Sequence, residues 1–507
     1  MSEHYDLLVV GGGINGVAIA RDAAGRGLRI LLCDKGDLAG ATSSASSKLV
    51  HGGLRYLEHG DFRLVRESLA EREVLLHIAP HLVRPMSFVL PQGPGSRPGW
   101  LVRAGLFLYD RLGGARSLPG ARALDLRREP FGGPLRAPGA GFVYADCRVD
   151  DARLTVVIAR DAAARGAVIL TRTALVAAQR DGDSWRATLR PQNGGTREIN
   201  ARVLVNAAGP WVLDVSRQAG LSAHHAVRLV KGSHVVVPRL YEGEQAYLLQ
   251  NDDGRIVFVI PFERAFSLIG TTELPFTGDP ATAEITEEEI AYLCRAVGRW
   301  FAKPPDPTDI VWHYAGVRPL YEDRARSASA VTRDYVFDLD TAGAPALSIF
   351  GGKLTTHRRL AEHLLARLAP YLPEAGPAWT TRSLLPGGDD LPAAGVDGLT
   401  EELARDYPAL DMPSSERLAG SYGSEARHIL REPPGQDFGH GFWEAELRWL
   451  VEKEWAQTAE DVLWRRTKLG LVMEPQQVQR IDAYLARVKP ASPAVAASAP
   501  AGQTAYR

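Results

Sequence analysis

An α/β fold in three parts is predicted by three observations. A short apolar strand near the N-terminus runs straight into a glycine-rich turn and an alanine-rich helix. A stretch rich in strand formers, with runs such as SHVVVP and RIVFVIPF, occupies Leu229 to Thr272. Leu399 to Val488, rich in Glu, Arg, Leu and Trp, reads as a series of helices.

The first element is the most specific. Tyr5 to Val10 reads YDLLVV and Gly11 to Ala20 reads GGGINGVAIA. Gly11, Gly13 and Gly16 give G-x-G-x-x-G at a strand–helix junction, and a second apolar run from Leu28 to Cys33 ends at Asp34. A βαβ unit with an acid about 20 residues beyond the glycines is the Rossmann-like dinucleotide fingerprint. Gly11 permits the tight turn, Gly13 lets a pyrophosphate approach the backbone, and Gly16 brings helix and sheet together. The helix N-terminus offers unpaired N–H groups and partial positive charge to the phosphates. Asp34 is suited to the ribose hydroxyls. By itself the fingerprint allows NAD or FAD.

At 507 residues the chain exceeds one ordinary core, so two or three domains are expected. A hydrophobic content of 45% with 23% charged residues describes a globular protein, and a net charge of −1 gives no sign of a nucleic-acid binder. The three cysteines, Cys33, Cys147 and Cys294, form no C-x-x-C, which argues against a metal or iron–sulfur site and suits a reducing cytoplasm. The N-terminus lacks the basic leader and long apolar core of a signal peptide. No uninterrupted apolar run reaches the ~20 residues that span a bilayer.

Further along, Asp61 to Leu82 has helical spacing, with Leu64, Leu69, Leu75 and Leu76 among charges. Arg97 to Arg128 holds seven arginines and encloses the apolar segment Trp100 to Tyr109. That pattern suits an anionic lipid surface, and equally an ordinary packed helix with a basic outer face. Cys147 to Gly166 contains another helical pattern, and Ala167 to Thr173 is a strand candidate. Val203 to Ala207 is a buried strand leading into Ala208-Gly209-Pro210-Trp211, a second glycine turn of the kind that sits beside a cofactor. Leu347 to Phe350 is another, and Gly351-Gly352-Lys353 opens a helix. From Pro490 to Tyr506 there is no charge, and the tail is expected to be disordered.

Thr42 to Glu58 reads TSSASSKLVHGGLRYLE, with five hydroxyl residues in six positions followed at once by Lys48, His51, Arg55 and Tyr56. Such a loop can hydrogen-bond a phosphate or a heteroaromatic ring. Together with RLVKGSHVVVPR, IGTTE, YAGVRPL, FGGKLTTHRRLAEHLL and the C-terminal DFGHGFWEAELRWLVEKEWAQTAEDVLWRRTKLG, it resembles the FAD-dependent glycerol-3-phosphate dehydrogenases of aerobic, respiratory, quinone-linked bacterial type. The resemblance covers about residues 5 to 485.

That resemblance implies a glutathione-reductase/D-amino-acid-oxidase-like arrangement: a discontinuous FAD-binding domain (1–80, about 145–225 and 330–385), an antiparallel β-rich substrate cap (about 81–144 and 226–329) and an all-α C-terminal domain (386–488); the tail 489–507 is not covered by it. It implies FAD as cofactor, held by the glycine turn with Ile14 and Asn15, by Asp34, and by Thr42, Ser43, Ser44, Ser46 and Ser47. Backbone near Val176 would meet the adenine, Ala208 and Gly209 would close on the cofactor, and Gly352, Lys353, Leu354 and Thr355 would lie against the flavin ring. A helix N-terminus at that ring would favour its anionic reduced form.

The implied substrate is glycerol 3-phosphate, surrounded by Arg55, Tyr56, His234, Arg318, Arg333 and Lys353, and oxidised at C2 to dihydroxyacetone phosphate. A phosphomonoester carries close to two charges at pH 7, so several cations are what its pocket needs. For the proton, histidine is favoured: His234 first, His51 second, or no discrete base, with cations such as Arg318 and Lys353 favouring the alkoxide. Ubiquinone or menaquinone, peripheral contact with the cytoplasmic face of the inner membrane, and a homodimer complete the implied picture. Trp443, Trp449, Trp455 and Trp464 offer a surface for packing or self-association. Three readings compete: an oxidase reducing oxygen to peroxide, an amine or amino-acid oxidase on the same fold, and a flavoprotein that acts only as an interaction module.

Overall fold

The computed structural model describes residues 3–114, 117–222, 226–321 and 334–488; Arg333 and the tail 489–507 lie outside them. The chain runs β1 (Glu3–Val10), α1 (Ile14–Gly25), β2 (Ile30–Cys33), β3 (Leu49–Val50), α2 (Phe62–Ile78), β4 (Val83–Pro91), α3 (Gly99–Leu112), β5 (Arg122–Asp125), β6 (Ala140–Val149), α4 (Asp151–Ala164), β7 (Val168–Leu170), β8 (Thr173–Asp181), β9 (Ser184–Pro191), β10 (Arg197–Asn206) and α5 (Val212–Gln218). It continues with β11 (Val227–Pro238), β12 (Ala246–Gln250), β13 (Ile256–Phe262), β14 (Phe266–Gly270), β15 (Leu274–Pro275), α6 (Glu287–Gly298), β16 (Trp312–Tyr321), β17 (Val336–Asp340), β18 (Ala346–Phe350) and α7 (His357–Leu368). Helices α8 (Gly395–Asp406), α9 (Met412–Tyr422), α10 (Ala426–Arg431), α11 (Glu444–Glu454) and α12 (Pro475–Arg487) follow, with a small hairpin at Asp437–Trp443.

The first sheet has the order β17-β18-β10-β1-β2-β7, with the β8–β9 hairpin continuing from β10. Its central strands β18, β10, β1, β2 and β7 are parallel. Leu7, Leu8 and Val9 are fully buried, as a sheet covered on both faces requires. Helix α1 is buried nearly all round because Gly16, Ala18, Ala20, Ala23 and Ala24 are small, so it fits between the sheet and the helices α4 and α7. The glycines of the turn are sterically obligatory. A Cβ on Gly16 would lie 1.9 Å from the carbonyl oxygen of Gly11, and Gly11 itself has φ +117° with Ala207 O 2.4 Å from its would-be Cβ.

Among the described residues the second sheet has ten strands, with the path β15-β11-β14-β13-β12-β4-β6-β3 and with β16 on β11 and β5 on β6. It is antiparallel as expected, except where β12 runs parallel to β4. The β11–β16 pairing sets His234 opposite Tyr314 and Val230 opposite Arg318. The helical pattern within Cys147 to Gly166 is α4: Cys147 to Val149 end β6, and the helix begins after Asp150, whose carboxylate accepts from the Arg153 N–H at 3.0 Å as its N-cap. The helices from α8 onward enclose a separate apolar cluster that includes Leu399, Phe438, Leu447 and Ile481.

Candidate active site

One cavity of about 1290 Å³ is walled by the first sheet, the second sheet and the C-terminal helical part. This exceeds the ~300–1,000 Å³ of ordinary small-molecule pockets. Of the residues singled out from sequence, Gly11, Gly13, Ile14, Asn15, Asp34, Thr42, Ser43, Ser46, Ser47, His51, Tyr56, Ala208, Gly209, Arg318, Gly352, Lys353, Leu354 and Thr355 line it. Gly16, Ser44, Arg55, Val176 and His234 do not line it, and Arg333 lies outside the described residues.

The dinucleotide end is built from local turns. Gly13 is the N-cap of α1 and contributes no side chain; a Cβ there would approach only Ser43 Oγ, at 3.1 Å. Asp34 accepts hydrogen bonds from the N–H groups of Gly12 (2.6 Å) and Gly36 (2.7 Å). Burial pushes its carboxyl pKa up, opposed by these two donors. An ionised carboxylate accepts about four hydrogen bonds, so capacity remains for ribose hydroxyls. The wall nearest β8 is Arg172 to Leu175 rather than Val176. The β8–β9 register shifts between Leu175 and Ala177, so alternation counted along the strand breaks there.

The serine loop is pinned from behind. Asp151, at the start of α4, pairs with Lys48 Nζ at 2.7 Å and accepts from the Ser46 hydroxyl at 2.7 Å. Lys48 Nζ also donates to Ser44 O, and Ser44 Oγ turns back to Ala41 O. Ser43 Oγ accepts from the Ile14 N–H at 2.9 Å, which ties the loop to the first turn of α1. At the opposite wall Asn15 Nδ2 reaches Gly351 O at 3.5 Å, while its Oδ1 is buried without a hydrogen-bond partner among the described residues. A long cavity, a turn free of side chains, an acid at the end of β2 and this orphaned amide oxygen together fit FAD. When bound, FAD would supply the acceptor for a hydride.

Arg318 and Lys353 line the same cavity. Arg318 Nη1 lies 3.2 Å from Glu273 Oε1, and Arg55 Nη1 lies 3.5 Å from Glu273 Oε2. One carboxylate thus lies between two guanidinium groups. Gly232 clears the way, since a Cβ there would lie 2.9 Å from Arg318 Nη2. Lys353 Nζ sits 4.1 Å from the Tyr56 ring centroid and donates to Ser68 Oγ at 3.3 Å. Sequence reasoning passed over Glu273, which follows the two threonines of IGTTE without any local signal of its role.

The two histidines stand differently. His51 lines the cavity, and its backbone N–H meets Thr355 Oγ1 at 3.4 Å. His234 is buried one layer behind Ser47, with Nε2 and Ser47 Oγ 2.9 Å apart, and its ring stacks on Tyr314 at 4.9 Å. Burial, with the nearby charges of Arg318 and Lys48, holds the His234 pKa well below the ordinary histidine value, so its neutral form dominates.

Elsewhere, α3 buries Val102, Leu106 and Tyr109 and exposes Trp100 (74%), Leu101, Phe107 (58%) and Leu108 beside Arg103 and Arg111. The four C-terminal tryptophans pack within the chain instead of standing out: Trp464 stacks on Trp312 at 4.5 Å, and Arg160 covers Trp449. No helix among the described residues is long and apolar enough to cross a membrane, and none of their acidic, His and Cys side chains cluster as a metal site.

Comparison with known proteins agrees with this geometry. Residues 6–358 match the family of FAD dependent oxidoreductases, and residues 378–490 match the C-terminal domain of alpha-glycerophosphate oxidase. A glycerol-3-phosphate dehydrogenase of Pseudomonas aeruginosa is 50% identical over 507 residues, 98% of each chain. A D-erythritol 1-phosphate dehydrogenase of Brucella abortus is also 50% identical, over 92% of this chain and 94% of its own. The crystal structure of the glycerol-3-phosphate dehydrogenase from Bacillus halodurans complexed with FAD superposes with a TM-score of 0.73 at 27% identity, covering 95% of this chain and 94% of that one. The chain therefore belongs to the FAD-dependent oxidoreductases, in the branch of the bacterial glycerol-3-phosphate dehydrogenases.

Proposed function

We propose that this enzyme oxidises sn-glycerol 3-phosphate at C2 to dihydroxyacetone phosphate and passes the electrons to ubiquinone or menaquinone. The observation that carries the reading is a set of cations on one cavity: Arg318, which shares Glu273 with Arg55 behind the wall, and Lys353 over the Tyr56 ring. Forked guanidinium groups match a phosphomonoester in geometry and charge. Arg333 belongs to the same reading. His51 takes the C2 hydroxyl proton: it lines the cavity, whereas His234 stands behind Ser47 where two cations oppose its protonation. His234 positions Ser47. This reverses the order of preference that sequence suggested.

Contact with the bilayer is made by the exposed face of α3. Trp100 and Phe107 are seven residues apart, as are Leu101 and Leu108, so the four share one face, with Arg103 and Arg111 beside them. Apolar side chains flanked by arginine suit the surface of anionic lipids. Location at the inner face of the cytoplasmic membrane, and a homodimer, belong to this reading. The test is turnover of glycerol 3-phosphate with a water-soluble quinone against peroxide yield in air. Fast quinone reduction with little peroxide is expected; stoichiometric peroxide would make the enzyme an oxidase. Faster turnover of D-erythritol 1-phosphate, the substrate named for one of the 50%-identical relatives, would replace the substrate.

A further inference from the structure

The C-terminal helical part also reaches the cavity. Thr458, Glu460, Asp461 and Arg465 line it there, facing Lys35 to Asp37 and Arg172 to Leu175. The contact is ionic and deeply buried. Arg466 holds Asp37 with two nitrogens at 2.6 and 2.8 Å, and Arg465 Nε reaches the same carboxylate at 2.7 Å. Arg172 Nη2 donates to Asp461 at 2.6 Å. Asp461 also accepts from Arg465 and from the N–H groups of Gln457 (2.8 Å) and Thr458 (3.0 Å), and its side chain is 0% exposed.

These pairs fasten the two loops that make the adenosine end. Asp37 lies three residues beyond Asp34. Thr173 N–H donates to Asp34 O at 2.6 Å, and Arg172 N–H to Gly36 O at 2.7 Å. Arg172 holds a positive φ of 49°, which an L residue keeps only when its surroundings impose it. Its Nη1 has no hydrogen-bond partner among the described residues, although Arg172 lines the cavity. The cations around Asp461 hold its carboxyl at about pKa 2, so the pair stays charged across the working range.

We propose that the segment from Thr458 to Arg466 is a wall of the cofactor site, which closes on the adenosine of FAD through Arg172 and sets how long the cofactor stays bound. The inference rests on the reading that FAD lies in this cavity with its adenosine towards Asp34. Retention of the cofactor is thereby assigned in part to residues near the far end of the chain.

The test measures FAD release from the purified holoenzyme by the rise of flavin fluorescence on dilution, with the melting temperature of the FAD-free protein as a second readout. Arg172→Met and Asp461→Asn should each speed release by about tenfold or more, as loss of one partner of a buried charge pair acts mainly on dissociation. The double variant should release FAD no faster than the faster single variant. Arg172→Met leaves the C-terminal part itself untouched, so it decides the matter if Asp461→Asn fails to fold. Release from folded Arg172→Met within twofold of the parent would overturn the proposal. An Asp34→Ala protein that holds FAD as tightly as the parent would instead overturn the placing of the cofactor.

Discussion

Arg318→Ala removes one of the two guanidinium groups beside Glu273, so the positive charge of that cluster falls by one. The loss has two parts. A charge-assisted hydrogen bond to phosphate contributes about 1.5–3 kcal/mol, which corresponds to roughly a 10- to 150-fold fall in kcat/KM. In addition, Glu273, whose side chain is 9% exposed, loses the Arg318 cation and turns a less compensated carboxylate towards a dianion. The fall should appear chiefly in KM, because the phosphate is bound equally in ground and transition states. Adding Glu273→Gln to Arg318→Ala should recover part of the loss, since it removes the negative charge. Arg318→Lys should lie between, keeping charge but losing the fork. The assay is steady-state kinetics with glycerol 3-phosphate, run in parallel with unphosphorylated glycerol. A kcat/KM within about threefold of the parent, or an equal proportional loss on glycerol, would refute the assignment of Arg318 to the phosphate.

Three further outcomes are expected. His51→Asn should slow flavin reduction by about 10²–10⁴-fold, the usual contribution of a positioned base, and His234→Asn by less; single-turnover rates with the opposite ranking would return the role to His234. His81 is buried with both ring nitrogens unpartnered among the described residues, and burial, aided by Arg153 and Arg160, lowers its pKa to about 3. The unfolded state therefore binds the extra proton first, and stability falls as pH drops from about 6.5 towards 3, by about 1.4 kcal/mol per unit. The melting temperature of His81→Leu relative to the parent should rise as pH is lowered from 7.5 to 5, and a constant difference would contradict this. Replacing Trp100 and Phe107 together by Ser should reduce co-sedimentation with anionic vesicles while leaving turnover of a soluble quinone intact; undiminished sedimentation would remove α3 from the membrane contact.

What could be read from the sequence was local. The strand, the glycines and Asp34 are joined by one βαβ unit, so their spacing carries their geometry, and the serine loop and Gly351–Thr355 are likewise short turns. Residues that depend on pairing across the chain were hidden. Glu273 meets Arg318 only through the pairing of β15 and β16 with β11, and Arg55 comes to it from a distant turn. The depth of His234 was hidden for another reason: Lys231 to Val237 is buried on both faces of β11, so alternation gives no inside or outside. A Cβ on Gly270 would strike the His234 ring at 2.1 Å, a complementarity that no spacing announces. Arg465 lies far in sequence from Asp37, as Asp461 does from Arg172, and these ion pairs appear only when the two parts dock.

The central claim is a flavin reduced by a phosphorylated polyol at one end of a single cavity, and anaerobic mixing tests it most directly. The oxidised holoenzyme is mixed with glycerol 3-phosphate while the visible absorbance of the flavin is followed. Rapid, saturable bleaching is predicted, lost at low substrate in Arg318→Ala and regained at high substrate. FAD that stays oxidised in the parent at saturating glycerol 3-phosphate would contradict the account.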